Sequence, residues 1–377
     1  MRIALLVPTL ETGGVERVFA NLAGGLLRHG IEVDLVVGRG GGDIAAVLEK
    51  EIRVFDLQSD RMMHGIPRLA KYLREREPDA LIAGMTHSTA AAVLARAAAH
   101  RRTRIIATEH NTMSRIVANT AGFKYRLMPL WSRWALNSAD AIVAVSAGVA
   151  DDASAQTGIS RDRFGVIYNP VITGTLHSHA SAPLDHPWFR PGQPPVILSV
   201  ARLDKQKDFP MLIRAFDLVR QSRPARLIIL GEGPDRGRIE EAVAHLGLTA
   251  EVSLPGSESN PYRYMSRSAV FALSSQWEGF GVALLEALAL GVPVVSTNCP
   301  HGPAEILCHG RYGKLVPPGD HDAMSCALLA ALDNPLRVDC STHLQQFTVE
   351  NVASNYLSLI KALGGRSLSR LQTLKSE

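Results

Sequence analysis

Cysteine is scarce in this chain of 377 residues. There are four, Cys299, Cys308, Cys326 and Cys340, all in the second half and none in a C-x-x-C pair. That pattern excludes a disulfide scaffold and gives no zinc-type spacing, and it fits a reducing cytoplasm. No apolar run approaches the length of a membrane span. The opening MRIALLVPTL is broken at Pro8, too soon for a signal-peptide core and its cleavage site, and reads as a first buried strand. The net charge is only +4, so no global field draws nucleic acid. The full G-x-G-x-x-G is missing, which removes the dinucleotide fingerprint and with it the main support for an oxidoreductase. What is present is a globular composition, 46% apolar and 20% charged, long enough for two domains.

Those domains show in the alternation of elements. Ile3 to Val7 is a strand, Thr9 to Arg17 a Gly-rich turn holding Gly13 and Gly14, and a helical pattern follows through Leu27. Adjacent glycines let a backbone approach a ligand, and the next helix N-terminus favours an anion; a plain tight turn is the alternative. Strands and helices then alternate to about Ile167, with Glu109-His110-Asn111 at the end of the strand Ile105 to Thr108. A run rich in Pro, His, Ser and Gly between Thr173 and Pro195 reads as a linker, with His177, His179 and His186 solvated inside it. A second alternation begins at Val196 and includes the turn Gly231-Glu232-Gly233-Pro234. Alternation of this kind predicts parallel sheets covered on both faces. The expected boundaries are 1–175, a linker at 176–194, 195–350, and a C-terminal helix and tail at 351–377 that packs back on the first domain. In open α/β sheets ligands sit beyond the carboxyl ends of strands. Gly13-Gly14, Glu109-His110, Arg202, Gly231-Glu232 and Ser274 to Glu278 all follow expected strands, so they should line a common cleft.

The chain is organised around Ser274 to Glu305. Between Glu278 and Glu305 it has one charged side chain, Glu286, inside the apolar helix Val282 to Leu290. An all-round apolar helix is buried, and a carboxylate there must be paired, hydrogen-bonded or protonated. No Lys or Arg is close in sequence. The partner is a ligand hydroxyl, or else a backbone amide or another element. Glu278 precedes it by eight residues, and Gly279-Phe280-Gly281 offers amides at a helix N-terminus. Arg202, Lys205 and Lys207 leave another buried strand where they meet a diphosphate or remain solvated. Asp320-His321-Asp322 looks like a D-x-D metal motif but opens a helix, where Asp is a common cap.

These pieces, in order, make a resemblance specific. ETGGVERV (11–18), TEHN (108–111), VARLDKQKDF (200–209), LGEGP (230–234), the run 274–307 and YGKLVPPGD (312–320) resemble the glycosyltransferases of family 4. That family has the GT-B fold: α/β, with two Rossmann-like domains whose parallel sheets face each other across a cleft. The interval from Glu278 to Glu286 is the family's E-x7-E. The resemblance implies a retaining, metal-independent transfer from a nucleotide sugar, which is a substrate, so no cofactor is expected. It implies that Glu278 contacts the donor sugar and Glu286 the ribose hydroxyls. Arg202 and Lys207 would grip the diphosphate, and His110 would sit beside the reacting carbon. Gly13, Gly14, Gly231, Glu232, Phe280, Gly281 and Val282 would line the donor. NPYRYMSRS (260–268) and NCPHGPAEIL (298–307) resemble bacterial members using UDP-hexoses or UDP-N-acetylhexosamines; GDP-mannose, or a nucleotide-sugar-binding protein without turnover, are the alternatives.

The acceptor is expected to be lipid-linked or an oligosaccharide, in surface polysaccharide biosynthesis. From Arg96 to Asp140 eight Lys or Arg, among them Arg115, Lys124 and Arg126, face two acids and are interleaved with aromatics including Trp131 and Trp134. On one helix this pattern suits an anionic membrane surface; a core face with solvated charges is the alternative. The expected location is the inner face of the cytoplasmic membrane.

Overall fold

The computed structural model describes residues 1–11, 13–42, 48–119, 127–335 and 338–364. The chain divides into two compact units. The first takes Met1–Val171 and regains the chain from Gln345; the second is Ile172–Leu344.

The first unit holds a parallel sheet in the order β3-β2-β1-β4-β5-β6-β7. Its strands are β1 (Arg2–Val7), β2 (Glu32–Val37), β3 (Arg53–Asp56), β4 (Ala80–Gly84), β5 (Arg104–Glu109), β6 (Ala141–Ala144) and β7 (Phe164–Val166). Its central strands read as unbroken apolar runs because helices cover both faces: Ile3 to Val7 is buried throughout, as is Ala80 to Gly84. The helix Gly14–Arg28 packs on the last helix, Val349–Gly364. A Cβ on Gly25 would lie 2.7 Å from Val349 Cγ1, so glycine sets how closely these helices approach.

The second unit has the order β10-β9-β8-β11-β12-β13, from β8 (Val196–Val200), β9 (Arg226–Leu230), β10 (Val252–Gly256), β11 (Val270–Leu273), β12 (Val294–Thr297) and β13 (Lys314–Val316). Every pairing in both sheets is parallel. Its core gathers Phe209, Leu212 and Phe216 of the helix Phe209–Ser222 with Ile197, Leu227 and Ile229 of the sheet.

The stretch expected to be a linker is folded onto the second unit. Leu176–Ala180 forms a short helix whose carbonyls are claimed from the other side. Asn260 donates to His179 O (2.8 Å), Ser266 Oγ to Ala180 O (2.9 Å) and Arg267 to Ala180 O (3.0 Å). His179 stacks on Tyr262, and His186 Nδ1 accepts from the Trp188 amide. Turn-forming composition marks the absence of regular structure, not the absence of partners; carbonyls held against a protein surface need donors. Asp320 caps its helix, its Oδ1 accepting from the Ala323 amide at 2.8 Å.

Each strand order reverses once, between β1 and β4 in the first unit and between β8 and β11 in the second. Loops part at such switch points and leave a crevice beyond the strand ends.

Candidate active site

At the second unit's switch point the loops after β8 and β11 are stitched together. Gln276 N–H donates to Gln206 O (2.7 Å), Gln206 Nε2 to Trp277 O (2.8 Å) and Ser274 Oγ to Lys207 O (2.6 Å). The loop after β12 joins them: Glu278 N–H donates to Pro300 O and His301 N–H to Glu278 O. Within this frame Lys207 Nζ lies 2.6 Å from Glu278 Oε1, which also accepts from Ser275 Oγ at 2.6 Å. The two charged side chains are 17% and 7% exposed, so their attraction acts with little screening. Arg202 differs: its side chain is 74% exposed, with Asp204 4.0 Å away. Cys299 is buried nearby. Burial first, then the Glu278 charge, pushes its thiol up to about 12, which keeps it protonated and unreactive.

Glu286 is buried in the helix Val282–Ala289, and its Oε1 accepts from the Tyr262 hydroxyl at 2.8 Å. The partner demanded by burial thus includes another element of the chain. Sequence reasoning missed Tyr262, which stands 24 residues before Glu286 on a one-turn helix, Tyr262–Met265.

The glycines have separate reasons. Gly231 has φ +139°, and a Cβ there would lie 1.9 Å from Ala201 O, so no other residue lets the loops after β8 and β9 close. Gly281, at φ +103°, caps the Glu286 helix and turns the chain after buried Phe280 into Val282. Around Gly14 a Cβ would meet nothing within 4 Å, whereas one on Gly13 would strike Glu16 Oε2. Glu232 pairs with Arg236 at 2.7 Å.

In the first unit β5 delivers Glu109 and His110 to the switch-point side, both buried. Thr108 Oγ1 donates to Ala83 O at 2.9 Å and lies 3.0 Å from His110 Nε2. A hydroxyl has one proton; with that proton on Ala83 O, Thr108 can only accept from His110. The imidazole therefore carries its hydrogen on Nε2, and Nδ1 is a bare, buried acceptor with no hydrogen-bond partner among the described residues. Burial lowers the pKa of His110 to about 4, so the ring is neutral at physiological pH. Glu109 accepts from Thr86 Oγ1 at 2.8 Å. Burial raises its pKa to about 7, opposed by the Thr86 bond. Thr86 opens a helix whose preceding residue, Met85, has φ +72°, a conformation that costs a side chain of this size energy and clusters at binding sites. Met85, Thr86, His87, Glu109, His110 and Asn111, together with Met113, Ile116, Leu127, Met128, Leu130 and Trp131, line a pocket of about 840 Å³.

The basic, aromatic stretch does not form one helix. Arg96 lies on the helix Thr86–Ala99, Arg104 on β5, Arg115 on Met113–Asn119, and Arg133 with Trp131 and Trp134 on Met128–Asn137. Lys124 and Arg126 lie outside the described residues. Arg96 pairs with Asp140, and Arg133 donates to Thr157 O. Charges counted together in sequence are parted because β5 separates them. Ala135 and Leu136 of Met128–Asn137 are buried, but its larger apolar side chains are not: Leu130 is 68% exposed, Trp134 41% and Trp131 36%. No helix among the described residues is long and apolar enough to cross a membrane.

Two Rossmann-like units, each with polar residues gathered at its switch point, define the architecture of a GT-B transferase. Residues 12–174 match the family model "Glycosyltransferase Family 4" and residues 184–347 the model "Glycosyl transferases group 1". The chain belongs to the family 4 glycosyltransferases. It is 28% identical to the lipopolysaccharide core biosynthesis glycosyltransferase LpsE of Rhizobium meliloti, over 93% of this chain and 96% of that one. It is also 32% identical to a Campylobacter jejuni enzyme, N-acetylgalactosamine-N,N'-diacetylbacillosaminyl-diphospho-undecaprenol 4-alpha-N-acetylgalactosaminyltransferase. That alignment spans 52% of each chain. Among solved structures, Anabaena HepE in complex with UDP and glucose superposes with a TM-score of 0.79 at 20% identity, covering 96% of this chain and 100% of that one. The chain is a glycosyltransferase of glycan biosynthesis.

Proposed function

We propose that this enzyme moves a hexose or N-acetylhexosamine, with retention, from a UDP-sugar to a lipid-linked or saccharide acceptor. The observation behind this reading is the buried Lys207–Glu278 pair at the second unit's switch point, with Glu286 on the helix that follows. Glu278 is assigned to donor-sugar hydroxyls and Glu286 to the ribose. Lys207 and exposed Arg202 are assigned to the diphosphate, where cations stabilise the charge of a leaving group. Gly13, Gly14, the amides of Phe280 to Val282, and the Gly231-Glu232 turn would complete the donor site, and His110 would stand at the reacting carbon. The bond from the sugar's anomeric carbon to the phosphate oxygen breaks as the acceptor oxygen bonds on the same face, and the acceptor's proton passes to the departing phosphate. A relative named for undecaprenyl-linked chemistry and a neighbour holding UDP and glucose favour this donor and acceptor.

A thermal-shift panel of nucleotide sugars tests the donor, since a ligand bound only by the folded state raises its stability. UDP-sugars should stabilise the enzyme, and Glu286→Ala should weaken them by about tenfold or more, the worth of a hydrogen bond to a charged group. Unchanged affinity would remove Glu286 from the ribose site; stabilisation by GDP-sugars alone would reassign the base.

We also propose peripheral attachment to anionic membrane through Leu130, Trp131 and Trp134. Exposed aromatic and aliphatic side chains on one helix suit a bilayer interface. In flotation with anionic vesicles, Leu130→Ser with Trp134→Ser should leave the protein at the bottom of the gradient; co-flotation equal to wild type would refute the attachment.

A further inference from the structure

Glu286 is 3% exposed on the helix Val282–Ala289, and Tyr262 donates its hydroxyl to Glu286 Oε1 at 2.8 Å. The last torsion of a glutamate side chain has broad preferences. The plane of such a carboxylate is therefore set by what bonds its oxygens. Here a phenol from a different element bonds one of them. The phenol is held in turn. Its ring lies parallel to the His179 imidazole, with an interplanar angle of 5° and centroids 6.2 Å apart. Its one-turn helix, Tyr262–Met265, is fastened on both sides to the short helix Leu176–Ala180. Asn260 donates to His179 O before it and Ser266 Oγ to Ala180 O after it. The segment that enters the second unit thus fixes the element that aims the phenol. A phenol is neutral, so it orients the carboxylate without cancelling its charge. A carboxylate offers about four acceptor sites, so one phenol and the two hydroxyls of a ribose can share it.

We infer that Tyr262 is a positioning residue of the donor site: its hydroxyl holds the Glu286 carboxylate in the plane that receives the ribose diol, and so sets the preference for ribose over deoxyribose. The inference rests on the assignment of Glu286 to the ribose. It adds a residue that stands on another element, 24 positions away, and does not itself touch the nucleotide. Hydrogen bonds to a charged group are strong and directional. A carboxylate turned out of the diol's plane loses one of the two bonds while keeping its charge.

The test is calorimetric titration of the full chain with UDP, 2′-deoxy-UDP and 3′-deoxy-UDP, with GDP and its deoxy analogues alongside. Wild-type protein should prefer the ribonucleotide to a deoxy analogue by about tenfold, the worth of one hydrogen bond to a charged group. Tyr262→Phe keeps the ring and its place on His179 and removes only the oxygen. It should bind UDP about tenfold more weakly and the deoxy analogue about as before, so that the preference disappears. Glu286→Ala should abolish the same preference. Adding Tyr262→Phe to it should change nothing further, because the phenol then has no carboxylate to hold. That double variant strands no buried charge, so the comparison stands even where Tyr262→Phe alone is unstable. A phenol that only supported the fold would weaken every nucleotide alike, and a preference kept in Tyr262→Phe overturns the inference. A preference that grows in Tyr262→Phe also overturns it, since the phenol and the ribose would then compete for one oxygen. So does a further loss of UDP affinity when Tyr262→Phe is added to Glu286→Ala. Failure of the donor reading looks different: wild type then binds neither UDP nor GDP, or binds ribo and deoxy forms equally, and the inference falls with it.

Discussion

Lys207→Ala should cost about 3 kcal/mol of stability, the lower end of the loss expected when one partner of a buried ion pair is removed. It should also slow transfer by about a hundredfold, the scale of a lost charge-stabilising group. The two effects have separate origins. Stability falls because Glu278, 7% exposed, keeps its charge with the Ser275 hydroxyl but without the ammonium. Turnover falls because the diphosphate loses a cation. The double variant Lys207→Met/Glu278→Gln separates them. Neutralising both partners should recover most of the stability, since buried pairs are often replaced at little net cost, and it should leave transfer as slow as in Lys207→Ala. Urea unfolding and UDP release are the measurements. A destabilised Lys207→Ala enzyme with near-normal turnover would make Lys207 a structural counter-ion to Glu278 and leave the diphosphate to Arg202.

Glu109→Gln should stabilise the first unit in a pH-dependent way. In the fold the carboxyl titrates at about 7 rather than at 4.5, so the native state holds its proton more tightly than the unfolded chain does. The associated stability is complete below the unfolded value and drains away as pH rises from about 4.5 through about 7. At about 1.4 kcal/mol per tenfold change in affinity for the proton, full ionisation costs on the order of 3 kcal/mol. Glutamine does not titrate, so the variant should match wild type near pH 4.5 and exceed it at pH 8. His110 works in the opposite direction, since its lowered pKa makes the fold lose stability on acidification; both proteins share that effect and it cancels. A urea midpoint difference that does not change between pH 5 and pH 8 would mean that Glu109 is ionised at no cost in the folded chain.

Much of the fold is legible in local pattern. Unbroken apolar runs such as Ile3 to Val7 signal strands covered on both faces, and the turn at Gly231 signals a backbone crossing that no Cβ survives. The ion pair is harder to read, because Lys207 and Glu278 are 71 residues apart and meet only through the adjacency of β8 and β11. Tyr262 escaped for the same reason: burial of Glu286 demands a partner without saying which element brings it. Glu109 is placed with His110 by the strand end, but its Thr86 partner is not legible, because Thr86 precedes it by more than twenty residues and reaches it only through the adjacency of β4 and β5. Counting charges from Arg96 to Asp140 misled because sequence proximity across a strand is not proximity on a surface.

The helix Val349–Gly364 lies against Gly14–Arg28 and buries Val349, Val352, Ala353, Tyr356 and Ile360. A chain leaves the ribosome from its N-terminus, and domains tend to fold in that order. Here the first unit to emerge is the last to be finished. Its helix at Gly25 presents an uncovered apolar face throughout synthesis of the second unit, which can close its own core earlier. The unit whose chain is made first thus closes its core only when residues beyond Phe347 arrive.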